Sequence, residues 1–170
     1  MAAISDHRAE LESIFITHYA TVARTIALVI GDRGRAEELA VEVFLRWSGM
    51  RARPAPRPEA WLYRTAANLA VDELRKRARR SKVDLLFRRT PNPPTPEEIH
   101  GANQERARVR YILSRMQPRQ AELLVLRTQG FSYDELDSAL SLNPASVGKL
   151  LSRAQETFRK EYIAKYGPTQ

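Results

Sequence analysis

Prolines divide this chain, and the segments between them have helical spacing. Pro54, Pro56 and Pro58 sit in "GMRARPAPRPE" (49–59). Pro91, Pro93, Pro94 and Pro96 sit in "RRTPNPPTPEEIHGANQ" (88–104). A proline removes a backbone donor and clashes with the preceding turn, so neither stretch is helical throughout. In "ELESIFITHYATVARTIALVI" (10–30), Leu11, Ile14, Phe15, His18, Tyr19, Val22 and Ile26 recur at helical intervals, and Gly31 follows as a C-cap. In 35–48, Leu39, Val43, Phe44 and Trp47 take one side, with Glu38, Glu42 and Arg46 on another. A third helix is expected over 59–80, with Leu62, Ala66, Leu69, Ala70 and Leu74 inward. Further helices are expected at 105–116, 118–129, 132–140 and 144–163. Thr95, Pro96 and Glu98 have capping-box form, as do Ser132 and Glu135. No stretch has the period-two pattern of a strand. The expected fold class is therefore all-α: two small helical domains, 1–80 and 105–170, joined by a flexible Pro-rich linker at 81–104.

The 170 residues contain no cysteine, so disulfides and thiolate metal sites are excluded. The N-terminus lacks a basic stretch followed by an apolar core, and "IALVI" (26–30) is far shorter than a bilayer span of roughly 20 residues. These features argue for a cytoplasmic protein without membrane insertion. Net charge is +8, and the excess is uneven. Residues 1–60 are neutral, whereas 61–100 and 101–170 carry +4 each. A polyanionic partner is implied.

Two constellations carry chemistry. In "FSYDELDSALSLNPASVGKLLSRAQETF" (131–158), a short helix, a tight turn at Ser141, Leu142 and Asn143, and a longer helix opening on Pro144 make a helix-turn-helix pattern. In "WLYRTAANLAVDELRKRARR" (61–80), Trp61, Arg64, Asn68, Asp72, Arg75 and Arg79 share one face, opposite the leucines, and Lys76 and Arg80 extend the basic run. An amide, acids and guanidiniums on one face suit unstacked bases and phosphates. Trp61 reads better as core packing than as a base contact.

At these residues the chain resembles the extracytoplasmic-function (ECF) sigma factors of bacterial RNA polymerase. "AEELAVEVFLRW" (36–47) is similar to the family's polymerase-clamp helix. The block 61–80 is similar to the segment that melts and reads the minus-ten promoter element. "MQPRQAELLVLRTQGFSYDELDSALSLNPASVGKLLSRA" (116–154) is similar to the domain that reads the minus-thirty-five element. The resemblance implies a region 2-like domain over 1–80 and a region 4-like domain over 105–170. It implies core RNA polymerase and promoter DNA as partners, an anti-sigma factor as regulator, no cofactor or metal, and no catalytic residue. Glu38 and Glu42 match polymerase contacts. Asn68 matches the pocket for an extruded minus-ten base, with Arg64, Asp72, Arg75, Lys76, Arg79 and Arg80 around it. Ser146, Lys149, Ser152 and Arg153 match the recognition helix.

The chain also departs from the family pattern. Val41 stands where a Gln is usual and Ala52 where an aromatic is common. Gly148 and Leu150 replace basic residues, and Asp137 replaces a small one. Readout of the upstream element is the function most affected. Two alternatives stay open: a helix-turn-helix regulator acting without polymerase, and a sigma-like module serving protein contacts alone. Scattered His7, His18 and His100, and the lack of a Gly-rich phosphate loop, argue against an enzyme.

Overall fold

The structure is a computed structural model that describes residues 2–50, 58–87 and 101–168, with side chains over 9–50, 58–81 and 104–168. Among the described residues every regular element is a helix. These are α1 (Ala2–Ile30), α2 (Arg33–Ser48), α3 (Pro58–Phe87), α4 (Gly101–Arg115), α5 (Pro118–Thr128), α6 (Tyr133–Leu140) and α7 (Val147–Tyr166), with a 3-10 turn at Pro144–Ser146 before α7. The all-α expectation holds. Three boundaries in the first half and the linker differ most from the sequence reading. α1 begins at Ala2 rather than near residue 10, because "AAISDHRA" contains no helix breaker. α3 continues past residue 80 through Phe87, because the next proline is Pro91. α4 begins at Gly101, so helix occupies both ends of the stretch read as linker. The Thr95 capping box and Ala52 lie outside the described residues.

The expected apolar stripes form the core. Val22, Ile26, Val29 and Ile30 of α1 are buried with Leu39, Val43 and Phe44 of α2 and with Leu62, Ala66, Leu69, Ala70 and Leu74 of α3. Burying each large aliphatic side chain stabilises the fold by roughly 1.5–3 kcal/mol. Trp47 and Trp61 pack together, ring centroids 5.4 Å apart, which places Trp61 in the α2–α3 contact. The second half is built from α4 to α7 around Ile112, Leu126, Leu136, Leu140, Val147 and Leu151. α3 packs against α1 and α2, and also against α4, α5 and α6. The buried residues of both halves therefore form one continuous cluster.

Local sequence sets the helix ends. Asp32 caps α2 by accepting from the Arg35 amide at 3.0 Å. Ser132 and Glu135 form the anticipated capping box on α6. Gly31, at φ +70°, ends α1 in the left-handed conformation that glycine adopts without Cβ strain.

A buried carboxylate ties α1, α2 and α3 together. Glu73 is buried and accepts from Arg77 Nε at 3.1 Å and from Arg35 Nη2 at 3.3 Å. Arg77 also donates to Asp32 at 3.1 Å and to the Ile30 carbonyl at 3.3 Å. Burial alone would raise the Glu73 pKa, but the hydrogen bonds from Arg77 and Arg35 outweigh it and hold the carboxyl below its ordinary range. Arg77→Ala is expected to lower stability by roughly 1.5–3 kcal/mol, since hydrogen bonds to a charged group are removed. Because the folded pKa of Glu73 lies below the unfolded one, its contribution is complete at neutral pH and fades as pH falls through the folded value. Thermal melts of wild type and Arg77→Ala at neutral and acidic pH check both points. Equal melting temperatures at neutral pH, or a gap that widens with acid, would refute this account.

Candidate nucleic-acid interface

The outer face of α3 is polar along its length. Arg64, Asn68, Asp72, Lys76, Arg79 and Arg80 are exposed and Arg75 is half-buried, while the leucines and alanines opposite are buried. The basic run is not uniform. Arg77 turns into the Glu73 network, while Lys76, Arg79 and Arg80 face the solvent. Asn68 is not idle in this arrangement: its Nδ2 donates to Glu122 Oε1 of α5 at 3.1 Å. Glu122 is buried, 4% exposed, with Arg119 3.9 Å away. Burial pushes its pKa up, and Asp72 adds to that push, while Arg119, Asn68 and Arg64 oppose it. A face suited to a nucleic-acid strand is thus in contact with the second half of the chain.

The helix-turn-helix forms as read, with one refinement. α6 ends at Ser141 in the left-handed conformation, φ 49°, and the Leu142 amide donates back to the Asp137 carbonyl at 3.0 Å. Asn143 Oδ1 caps the next turn by accepting from the Ala145 amide at 3.0 Å. Pro144 opens a 3-10 turn rather than α7 itself, which starts at Val147. Asp137 is half-buried at the end of α6 and accepts from the Ser138 hydroxyl at 3.0 Å. Lys149, Ser152 and Arg153 are exposed together on α7, at positions i, i+3 and i+4. Ser146 and Leu150 are half-buried.

The structure adds two residues to this surface. Tyr133, 48% exposed, lies beside Gly148, and the Arg127 guanidinium sits 5.6 Å from its ring centroid. An aromatic with a stacked guanidinium is a common phosphate- and base-facing pair. Their clue in the sequence was an aromatic at the first position of a capped helix, six residues after an arginine. On α2, Glu38 is exposed and Glu42 half-buried, each held by an arginine of its own helix: Arg35 at 2.7 Å and Arg46 at 2.6 Å. Val41 and Leu45 are exposed beside them, 44% and 64%, and form an apolar i, i+4 pair flanked by acids. The structure does not bring this α2 surface into the cation-rich face of α3.

These features define a helical protein with a helix-turn-helix and a second, cation-rich helix face. Comparison with known proteins narrows the class. Residues 14–80 match the family model Sigma-70 region 2. The chain is 27% identical over 155 residues to the ECF RNA polymerase sigma factor SigE of Mycolicibacterium smegmatis, which covers 88% of this chain and 60% of that protein. It is 32% identical over 99 residues to the ECF RNA polymerase sigma factor SigL of Mycobacterium tuberculosis, covering 54% of each. Among solved structures, the sigma factor RpoE in complex with the anti-sigma factor NepR from Bartonella quintana matches with a TM-score of 0.54. That match has 16% identity over 94% of this chain and 99% of RpoE, and shows a shared fold. The chain is thus similar to ECF sigma factors, with the Sigma-70 region 2 match lying over residues 14–80. It spans about 60% of the length of SigE and about 54% of SigL.

Gly148 offers a direct check on the recognition helix. A Cβ at this position would meet Tyr133 Cε2 at 3.5 Å, an ordinary contact. Gly148→Ala is therefore expected to raise stability by roughly 0.5–1 kcal/mol through helix propensity. A thermal melt that shifts downward would mean that Tyr133 has to leave its place against α7.

Proposed function

We propose that this chain directs bacterial RNA polymerase to promoters as a sigma subunit in the cytoplasm. Residues of α2 would bind the core enzyme, the outer face of α3 would hold the melted minus-ten strand, and α7 would lie on the minus-thirty-five element. The division of labour follows two units, residues 1–80 and 105–170. The observation that carries this reading is the exposed set Arg64, Asn68, Asp72, Lys76, Arg79 and Arg80 on one helix, all inside the stretch that matches Sigma-70 region 2. An extruded base loses stacking worth a few kcal/mol, and an amide such as Asn68 can offset part of this through the base edge. The cations beside it would hold phosphates. No catalytic group is assigned to the chain. An anti-sigma factor is the expected regulator, in keeping with the NepR complex of RpoE. A helix-turn-helix regulator acting without polymerase is disfavoured by the family match over α1 to α3.

Two experiments test the assignment. Glu38→Lys with Glu42→Lys reverses one exposed and one half-buried charge beside Arg35 and Arg46, and is expected to weaken competition for core polymerase while circular dichroism shows the helical fold kept at a lower melting temperature; undiminished competition would remove α2 from the interface. Asn68→Ala is expected to impair open-complex formation and spare polymerase binding.

Promoter choice is expected to lean on the minus-ten element. Leu150 is half-buried and Gly148 carries no side chain, so neither position presents a cation on the recognition helix, where Lys149 and Arg153 do. A recognition helix forfeits roughly 1–3 kcal/mol of discrimination for every base edge that its side chains do not reach. Transcription from promoter libraries with each element randomised in turn measures the ranking. Loss of activity only when the upstream element is scrambled would reverse it.

A further inference from the structure

A cavity of about 620 Å³ lies apart from the polar surfaces of α2, α3 and the helix-turn-helix. Leu28 and Val29 of α1, Val109 and Leu113 of α4, Leu124 of α5 and Phe158 of α7 wall it. Its lining includes no residue of α3 and none of the exposed set Lys149, Ser152 and Arg153 on α7. The volume falls within the roughly 300–1,000 Å³ of small-molecule sites, which are mostly apolar with a few placed polar groups. Leu28 is 60% exposed, so the cavity opens to solvent at that wall.

Two cations on the same wall lack a counter-charge. Arg106 and Arg110 both line the cavity and stand four residues apart on α4, hence on one face. Neither forms an ion pair among the described residues. Arg110 donates from Nε to the Val29 carbonyl at 3.1 Å, and its guanidinium lies over Gly31, where a Cβ would stand 2.3 Å from Cζ. Glycine at this position leaves room for the arginine. The Nη groups of Arg110 have no acceptor among the described residues and are not sealed from solvent, so their hydrogens are available. The C-terminus of α1 offers them only partial negative charge. Burial pushes the Arg110 pKa down, and the Arg106 and Arg77 charges push it the same way. The one acid in the lining, Glu105, is already engaged: the Tyr162 hydroxyl donates to it at 2.8 Å, and Arg108 stands 3.7 Å away.

We infer that this cavity binds one medium-chain fatty acid, with its alkyl chain against the apolar walls and its carboxylate on Arg106 and Arg110. A guanidinium presents a fork of N–H donors that matches a carboxylate. The anion supplies the charge that both arginines lack and relieves their mutual repulsion. The chain covers apolar wall that water otherwise wets, which is favourable in proportion to the area removed from water. An inorganic phosphate meets the cations and leaves the walls wet. A neutral hydrocarbon covers the walls and leaves the cations unpaired. An amphipathic carboxylate does both.

The probe is decanoate, titrated into the full-length chain by calorimetry and followed by thermal melts. Saturable one-to-one binding is expected, with a melting temperature that rises with ligand concentration by mass action. Decanol, the same chain without the charge, is expected to bind roughly tenfold more weakly. Arg106→Gln, an exposed position, is expected to weaken decanoate binding several-fold, while Lys160→Gln, an exposed cation of α7 outside the cavity, leaves it unchanged. Val109→Phe fills the cavity without altering charge and is expected to abolish binding. Should that variant fail to fold, Leu28→Ser at the exposed wall takes its place, with several-fold weaker binding expected. Absence of saturable binding would overturn the inference. Equal losses in Arg106→Gln and Lys160→Gln would do so too, since they would mean general attraction of an anion to a basic surface. Wild-type affinity in the Val109 variant, or in the Leu28 variant if that one decides, would place the chain elsewhere and end the proposal.

Discussion

The first three helices depend on one buried carboxylate. Glu73 lies beneath the α1–α2 turn and receives Arg35 from α2 and Arg77 from its own helix. A lone carboxylate in that place would be costly, because burial disfavours its charged form. With both guanidiniums present it becomes a fixed post. Arg35 also reaches Glu38, and Arg77 reaches Asp32, the residue that caps α2. The position of α2, and therefore of the exposed Val41 and Leu45 with their flanking acids, is set by the same group that orients α3. The exposed apolar pair of α2 and the cation-rich face of α3 are thus held in register by charge pairing as well as by apolar packing.

The network also explains why the basic run of α3 serves two purposes. Residues 75 to 80 contain Arg75, Lys76, Arg77, Arg79 and Arg80. Helical geometry separates them at about 100° per residue, so one falls on the buried side while the others face outward or along the edge. Arg77 is consumed internally, whereas Lys76, Arg79 and Arg80 beside it are exposed.

Much of the fold was legible in the sequence, and the reasons are local. The stripe Leu62, Ala66, Leu69, Ala70 and Leu74 has a period that only a helix satisfies, and Ser132 with Glu135 announces a helix start through short-range hydrogen bonds. Helix ends without such signals were misplaced: nothing after Arg80 stops α3 before Pro91, and nothing before Glu10 starts α1 late. The polar face of α3 was visible for the same reason of periodicity. Its partner was not. Glu122 sits in "QAELLVLR", where a glutamate among leucines looks like any solvated helix residue. Only the packing of α5 on α3 buries it, and that contact joins residues 54 positions apart. Arg110 was hidden in the same way, since an arginine on an amphipathic helix gives no sign that it ends on another helix's carbonyl.

Arg110 of α4 donates from Nε to the Val29 carbonyl of α1 at 3.1 Å, and this contact bears on the order in which the molecule assembles. It links positions 81 apart in sequence, whereas the pairs that build α2 and α3 around Glu73 include partners only four apart. Closing a longer loop sacrifices more chain entropy, so the bridge between halves has to form after the local pairs that support it. During synthesis the first half emerges with its cation-rich face uncovered, and α4 and α5 arrive to meet it later. A nascent chain would therefore expose a face of α3 that α5 contacts through Glu122 in the folded molecule.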